Sequence, residues 1–251
     1  MKAIGIIPVR VESSRLPQKA LIDICGLPMI AHTFFRAKLS NALDELYVAT
    51  DSDRIKDIIE NIGGKVIMTG SFHKTGSDRI AEAAKSVDAD IIVNIQGDEP
   101  LLNPEHVTLA VEALKNDANV NIAVLVTPYQ VKNSDSDIKA VLDLNDFILY
   151  CSRNDLPSDK RTLVKVMWKM CFIVPFRKDF LLQYTSWEQT PLEKIEFNEY
   201  LRILEHGYKI KAVRVEQASI SVDTPKDLEI VRSFMVNDKI FNEYCHLWNS
   251  L

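Results

Sequence analysis

The sequence predicts an α/β protein: a mostly parallel, Rossmann-like sheet with a smaller β-rich region inserted into it. Three observations carry that prediction. Short β-rich runs alternate with amphipathic helical stretches through the first half of the chain, the first four of these runs are apolar throughout their middles, as strands covered on both faces are, and the rhythm changes after Thr127. With 251 residues, 47% of them hydrophobic and 26% charged, the chain can bury a sizeable core and lacks the composition of a disordered protein.

The first strand is Ala3 to Pro8, followed by a helix over Pro28 to Leu39 in which Met29, Ile30, Thr33, Phe34 and Ala37 share a face. Strand Glu45 to Thr50, helix Asp53 to Ile62, strand Lys65 to Met68, helix Ser77 to Ser86 and the strands Asp90 to Ile95 and Asn121 to Val126 continue a βαβ series with right-handed crossovers. Beyond Thr127, Ile138 to Leu142, Phe147 to Ser152 and Trp168 to Phe176 read as further strands, separated by polar, turn-rich segments at Lys132 to Asp137 and Asn154 to Arg161. This insertion, residues 128–207, is expected to widen the sheet and carry a subunit contact, while 1–127 and 208–251 form the core of a single structural unit. It closes on a helix from Pro191 to His206, where Pro191 suits a first-turn position and Gly207 the C-terminal cap. Strand Lys209 to Val215 follows, and then a helix capped by Thr224 with Pro225 at its first position.

Thirty Lys and Arg against 35 Asp and Glu give a net charge of -5, which argues against a general nucleic-acid binder and leaves any phosphate affinity to a local patch. The N-terminal apolar run MKAIGIIPVR is too short for a signal peptide or a membrane span, so the expected location is the cytoplasm, with no membrane partner. Cys25, Cys151, Cys171 and Cys245 are scattered, without a CxxC pair, and read as reduced, mostly buried thiols. The histidines form no ligand spacing, and His73 reads as a solvated turn residue.

Three motifs can carry chemistry. The first strand runs into PVRVESSRLPQK, where Arg10, Ser13, Ser14, Arg15 and Lys19 gather three cations and two hydroxyls at the edge where open α/β sheets place ligands. Side chains there could neutralise a polyphosphate; the alternative is a solvated loop. At the end of the fourth strand stands NIQGDEP, in which Asp98 follows a glycine and suits a magnesium ligand or, alternatively, a turn cap. Asp223, in SVDTP, also sits between a strand and a helix and could join Asp98 on one metal. In HKTGSDR, Thr75, Gly76, Ser77 and Arg79 open an amphipathic helix and could face an anion or a base; the alternative is an ordinary cap by Ser77.

Taken in order, these motifs resemble the 3-deoxy-manno-octulosonate cytidylyltransferases, the CMP-Kdo synthetases. The resemblance runs from Ile6 through the helix after Asp223 and includes the R-x4-R-x3-K loop, ATDSDRI, HKTGSDRIAEA, VNIQGDEPLL, LYCSR, PLEKIE with LRILEHG, and VDTPKDLE. It implies transfer of CMP from CTP to the anomeric hydroxyl of an acidic 2-keto sugar, with Mg2+ as cofactor and a homodimer as the assembly. By position, Arg10, Ser13, Arg15 and Lys19 hold the triphosphate, with Arg15 and Lys19 stabilising the pyrophosphate; Gln96 and Thr75 to Arg79 receive the cytidine; Asp98 and Asp223 bind the metal. Arg153 meets the acceptor carboxylate, and the acceptor side further comprises Met170, Val174, Glu199 and Tyr200.

That side departs from the family. Met170 to Val174 replace a His-Leu-Gly-Ile-Tyr run, and Glu199-Tyr200 replaces Glu-Gln, so the acceptor is expected to carry fewer or rearranged hydroxyls. A cytidylyltransferase for another acidic sugar, such as a nonulosonate, and a non-catalytic nucleotide-binding dimer are the competing readings. The missing GxGxxG after the first strand counts against a dinucleotide oxidoreductase.

Overall fold

The computed structural model describes residues 1–11, 16–158, 160–164 and 166–248. Among these, a five-stranded sheet has β1 (Ala3–Val9) at its centre. On one side lie β4 (Glu45–Thr50) and β5 (Lys65–Met68), and on the other β6 (Ile91–Ile95) and β11 (Ile173–Arg177); all run parallel except β11. A two-residue pair, β2 (Asp23–Ile24) and β3 (Leu27–Pro28), forms a hairpin after β1. The second five-stranded sheet runs β12 (Lys211–Arg214), β7 (Ala123–Tyr129), β10 (Met167–Cys171), β8 (Lys139–Leu142) and β9 (Ile148–Ser152), with β12 parallel to β7 and the other pairs antiparallel. A bridge between Ile122 and Phe176 links the two sheets.

Strand β1 shows why its residues form a central strand. Its side chains point alternately to the two faces, so Ala3, Ile7 and Val9 pack with α1 (Met29–Lys38) and α4 (Pro104–Lys115), while Ile4 and Ile6 pack with α3 (Gly76–Ala84) and α5 (Lys178–Ser186). Each fully buried isoleucine stabilises the fold by roughly 1.5–3 kcal/mol. The remaining helices are α2 (Asp53–Asn61), α6 (Pro191–Glu196), α7 (Tyr200–Glu205), α8 (Pro225–Met235) and α9 (Lys239–Trp248). Helices α4, α5 and α9 were not among those the periodicity had suggested.

Five expectations need correction. Trp168 to Phe176 is not one strand: the chain bends at Phe172, and β10 and β11 enter different sheets. Pro191 to His206 is not one helix, because Phe197 takes a left-handed conformation (φ 49°) between α6 and α7. The Glu193–Arg202 ion pair spans that kink at 2.8 and 2.6 Å, both side chains nearly buried, and locks the two short helices together; Gly207 ends α7 at φ +78° as expected. The insertion builds mostly a second sheet and widens the first by β11 alone, while β7 and β12, on either side of residues 128–207, also belong to that second sheet. Strand β5 lies at an edge with its ends exposed, not covered on both faces. Helix α3 starts at Gly76 and is capped by Thr75, whose side chain and Asp78 form a reciprocal capping box, so Ser77 is not the cap.

His32, fully buried on α1, ties this body to the C-terminal helix. Ile24 O accepts from Nε2 at 2.7 Å, which leaves Nδ1 to accept from Tyr244 Oη at 2.7 Å. Burial pushes its pKa from 6.5 down to about 4. The unfolded chain therefore takes up a proton near pH 6.5 that the folded chain refuses until about pH 4. Stability from this site is complete above pH 6.5 and is lost as the pH falls toward 4, by about 3 kcal/mol in all. Urea unfolding across that window should show the decline, and His32→Gln should flatten it; equal slopes would remove His32 as the cause.

Candidate active site

The parallel strands deliver the motif residues to one edge. Arg10 follows β1, Gln96 to Glu99 follow β6, Lys19 opens a short 3-10 turn (Lys19–Leu21), Thr75 caps α3, and Asp223 precedes α8. Gly97 is needed there for close approach: a Cβ at that position would lie 2.8 Å from Val9 Cγ2 and 3.4 Å from the Pro8 carbonyl oxygen, forcing the end of β6 away from β1. Val222 N donates to Asp98 O at 2.9 Å and so holds the Asp223 loop beside the β6 end.

Two clefts open at this edge. The smaller, of about 270 Å³, is lined by residues that include Arg10, Lys19, His73, Gly76 and Arg79. The larger, of about 1310 Å³, lies against the second sheet. Thr75, Gln96, Asp98 and Asp223 line both, so a ligand in one cleft meets a ligand in the other across these four residues. At that lip the Lys19 ammonium donates to Asp98 Oδ2 at 2.6 Å and to Asp223 Oδ1 at 3.1 Å. Residues 79 and 204 positions away from Lys19 thus converge on a single positive charge.

Two carboxylates directed at one cation form a donor set that suits magnesium, a hard ion that typically takes one or two protein carboxylates and completes its shell with water and substrate phosphates. Among the described residues no group of three or more His, Cys, Asp or Glu side chains is placed to hold a metal ion.

The other expected nucleotide residues fare differently. Thr75 and Gly76 line the smaller cleft. Arg79 does too, but it is buried, and its guanidinium is engaged by Thr69 Oγ1 at 2.6 Å and Asp51 Oδ2 at 3.0 Å. Ser77 is buried, lines neither cleft, and donates to Glu199 Oε1 at 2.8 Å. Ser13 and Arg15 lie outside the described residues.

On the acceptor side Met170, Glu199 and Tyr200 line the larger cleft, and the Tyr200 ring stacks on Phe172 at 5.9 Å. Burial pushes the Glu199 carboxyl above its ordinary pKa. Val174 and Arg153 are not brought to the cleft. Val174 is buried in the core opposite Asn94 in the β6–β11 ladder. The Arg153 guanidinium donates to the main-chain oxygens of Ser136 at 2.6 Å, Asp135 at 3.3 Å and Phe197 at 3.5 Å.

Several residues of the site carried no sequence signal that singled them out. Glu99 is 4% exposed in the larger cleft, and burial, followed by the neighbouring Asp98 charge, pushes its pKa up to about 7. Its place in NIQGDEP was visible; its burial was not. Lys169 lines the same cleft in an ion pair with Asp137. His73 is not a solvated turn residue, since its ring pairs with Glu82 and its side chain is only 8% exposed. No helix among the described residues is long and apolar enough to cross a membrane.

Residues 4–210 match the family model described as cytidylyltransferase. The chain is 41% identical over 245 residues to the 3-deoxy-manno-octulosonate cytidylyltransferase of Geotalea uraniireducens (strain Rf4), an alignment covering 92% of this chain and 98% of that protein. It is 40% identical over 245 residues to the enzyme of the same name from Fusobacterium nucleatum, covering 96% of this chain and 99% of that one. Among solved structures it is similar to CMP:2-keto-3-deoxy-manno-octonic acid synthetase complexed with CTP, with TM-score 0.91 and 35% identity over 94% of this chain and 99% of that chain. The 4-diphosphocytidyl-2C-methyl-D-erythritol synthase of Anaerococcus prevotii, with TM-score 0.65 and 16% identity over 94% and 99% of the two chains, shares the fold.

Proposed function

The chain belongs to the cytidylyltransferase family and is a CTP-dependent enzyme of it, and from that premise we propose that it joins CMP to the anomeric hydroxyl of an acidic 2-keto sugar, 3-deoxy-manno-octulosonate or a close relative, releasing pyrophosphate. The observation that carries this reading is the pair of clefts meeting at Thr75, Gln96, Asp98 and Asp223, with Arg10 and Lys19 lining the smaller and Met170, Glu199 and Tyr200 the larger.

In the reaction the acceptor oxygen forms a bond to the α-phosphorus as the bond from that phosphorus to the bridging oxygen of the β-phosphate breaks in line, and the hydroxyl proton passes to solvent water or to the departing pyrophosphate. Arg10 and Lys19 meet the triphosphate at the mouth of the smaller cleft and stabilise the leaving pyrophosphate, a task that Ser13 and Arg15 share by their place in the motif. Asp98 and Asp223 would hold Mg2+, which when bound would supply positive charge to offset that of the phosphates. Thr75, Gly76, Gln96 and Arg79 bound the cytidine, and Ser77 acts through Glu199 beneath them. Residues 128–207 supply most of the acceptor wall, among them Met170, Glu199 and Tyr200. The Tyr200–Phe172 stack and Met170 offer that acceptor few hydrogen-bond partners, which favours a sugar with fewer hydroxyls on that side.

The enzyme works in the cytoplasm as a homodimer. Leu149 on the edge strand β9, Ile195 in α6 and Phe197 just after it are 65%, 72% and 84% exposed, apolar side chains for a second copy of the chain to cover; light scattering at twice the chain mass checks this.

Incubation with Mg2+, a panel of keto acids and CTP, ATP or GTP tests the activity through pyrophosphate release. CTP should exceed both purine nucleotides by about a hundredfold, the preference that membership of a cytidylyltransferase family implies. Similar turnover with ATP would overturn the assignment.

A further inference from the structure

The larger cleft is an acidic place for an acidic sugar to enter. Among the described residues lining it, eight carry carboxylates, Asp98, Glu99, Asp137 and Glu199 among them, against two lysines. An anion held there needs a cation turned toward it. Lys194 is exposed on α6, whereas Lys169 sits on β10, half-buried, close enough to Glu99 for the two charges to act on each other.

Among the described residues three cations, Lys139, Arg153 and Lys169, converge on the loop 134–137, and they differ in what they face. Lys139 is fully buried and donates to the main-chain oxygens of Ser134 at 2.7 Å and Asp137 at 2.9 Å, and to that of Arg153. Arg153 spends its guanidinium on the oxygens of Asp135, Ser136 and Phe197. Lys169, directly opposite Lys139 in the β8–β10 ladder, meets the same loop through the Asp137 carboxylate and alone of the three lines the cleft. An ammonium has three donors, of which Asp137 takes one. Asp137 is also supplied by Tyr129 Oη at 2.5 Å and Ser134 Oγ at 2.6 Å, so it does not depend on the lysine for hydrogen bonds.

Resting on the reading that this cleft takes a keto acid, we propose that Lys169 receives the acceptor's carboxylate, and that Lys139 and Arg153 are positioning residues that hold the loop beside it. The acceptor's charge is then read by an ammonium rising from a strand, whose backbone is fixed in the sheet, and not by the guanidinium expected from the motif.

The test is steady-state kinetics on four proteins, with the acceptor and its carboxamide as substrates. In the wild type the carboxamide should be the poorer substrate by at least tenfold. Lys169→Met should raise the acceptor KM at least tenfold, leave the KM for CTP within twofold, and abolish the preference for carboxylate over carboxamide. Asp137→Asn, which removes the competing carboxylate and keeps the ammonium, should lower the acceptor KM severalfold; a merely structural ion pair would make it behave like Lys169→Met. Arg153→Lys should raise the acceptor KM less than Lys169→Met does. An active wild type whose Lys169→Met variant keeps its acceptor KM and its carboxylate preference, or in which Arg153→Lys has the larger effect, overturns the Lys169 assignment alone. A wild type that turns over no keto acid overturns the reading of the cleft as well.

Discussion

Asp98→Asn should lose about two to three powers of ten in turnover at saturating CTP and Mg2+ while unfolding at the wild-type temperature. An amide presents the same shape and a neutral oxygen, a far weaker partner for a hard divalent ion. The fold has little to lose. The bond that holds the Asp223 loop uses the main-chain oxygen of Asp98, and Lys19 can still donate to the amide oxygen. Pyrophosphate release and thermal denaturation of the same sample decide the matter, and near-normal turnover in a folded variant would take Asp98 out of the metal site.

The second large effect falls on Lys19. Its ammonium stands 2.6 Å from Asp98 Oδ2 and 3.1 Å from Asp223 Oδ1, where it offsets the repulsion between the two carboxylates. Lys19→Met should reduce turnover about a hundredfold through the lost phosphate contact and, in chelator, destabilise the protein by about 1–3 kcal/mol. Without nucleotide, the variant should also be stabilised by millimolar Mg2+ more than the wild type is, because the metal no longer competes with an ammonium for the same oxygens. Denaturation with and without Mg2+ reads this directly. Equal metal-induced shifts in the two proteins would mean that lysine and metal do not share those carboxylates.

How far the sequence led can be seen at these same residues. Asp98, Asp223 and Lys19 were legible because each lies in a connection that leaves the carboxyl end of a strand, and open α/β sheets place their ligands at that edge. Strands such as Glu45–Thr50 and Lys65–Met68 were legible to their boundaries, since each is a short apolar run between turn residues. The bend at Phe172 was not. Residues on both sides of it are apolar and β-prone, and periodicity holds no information about which sheet a strand will join. The break at Phe197 lacked the glycine or proline that would have announced it. Arg153 was identified by its motif, but its partners are carbonyl oxygens, which every residue has and no sequence displays. Lys139 and Lys169 look like ordinary surface lysines until β8 and β10 are paired.

The bend at Phe172 also bears on how such enzymes can exchange specificity. A chimaera that grafts a relative's residues 128–207 into this chain would bring in a foreign β11 to lie along the native β6 in one sheet, and a foreign β10 to pair with the native β7 in the other. Sugar preference in this architecture is therefore not a cassette. It should drift by single substitutions on the cleft-facing side of β10 and α7, around residues such as Met170 and Tyr200, while recombination at the insertion's ends yields chains that fail to fold.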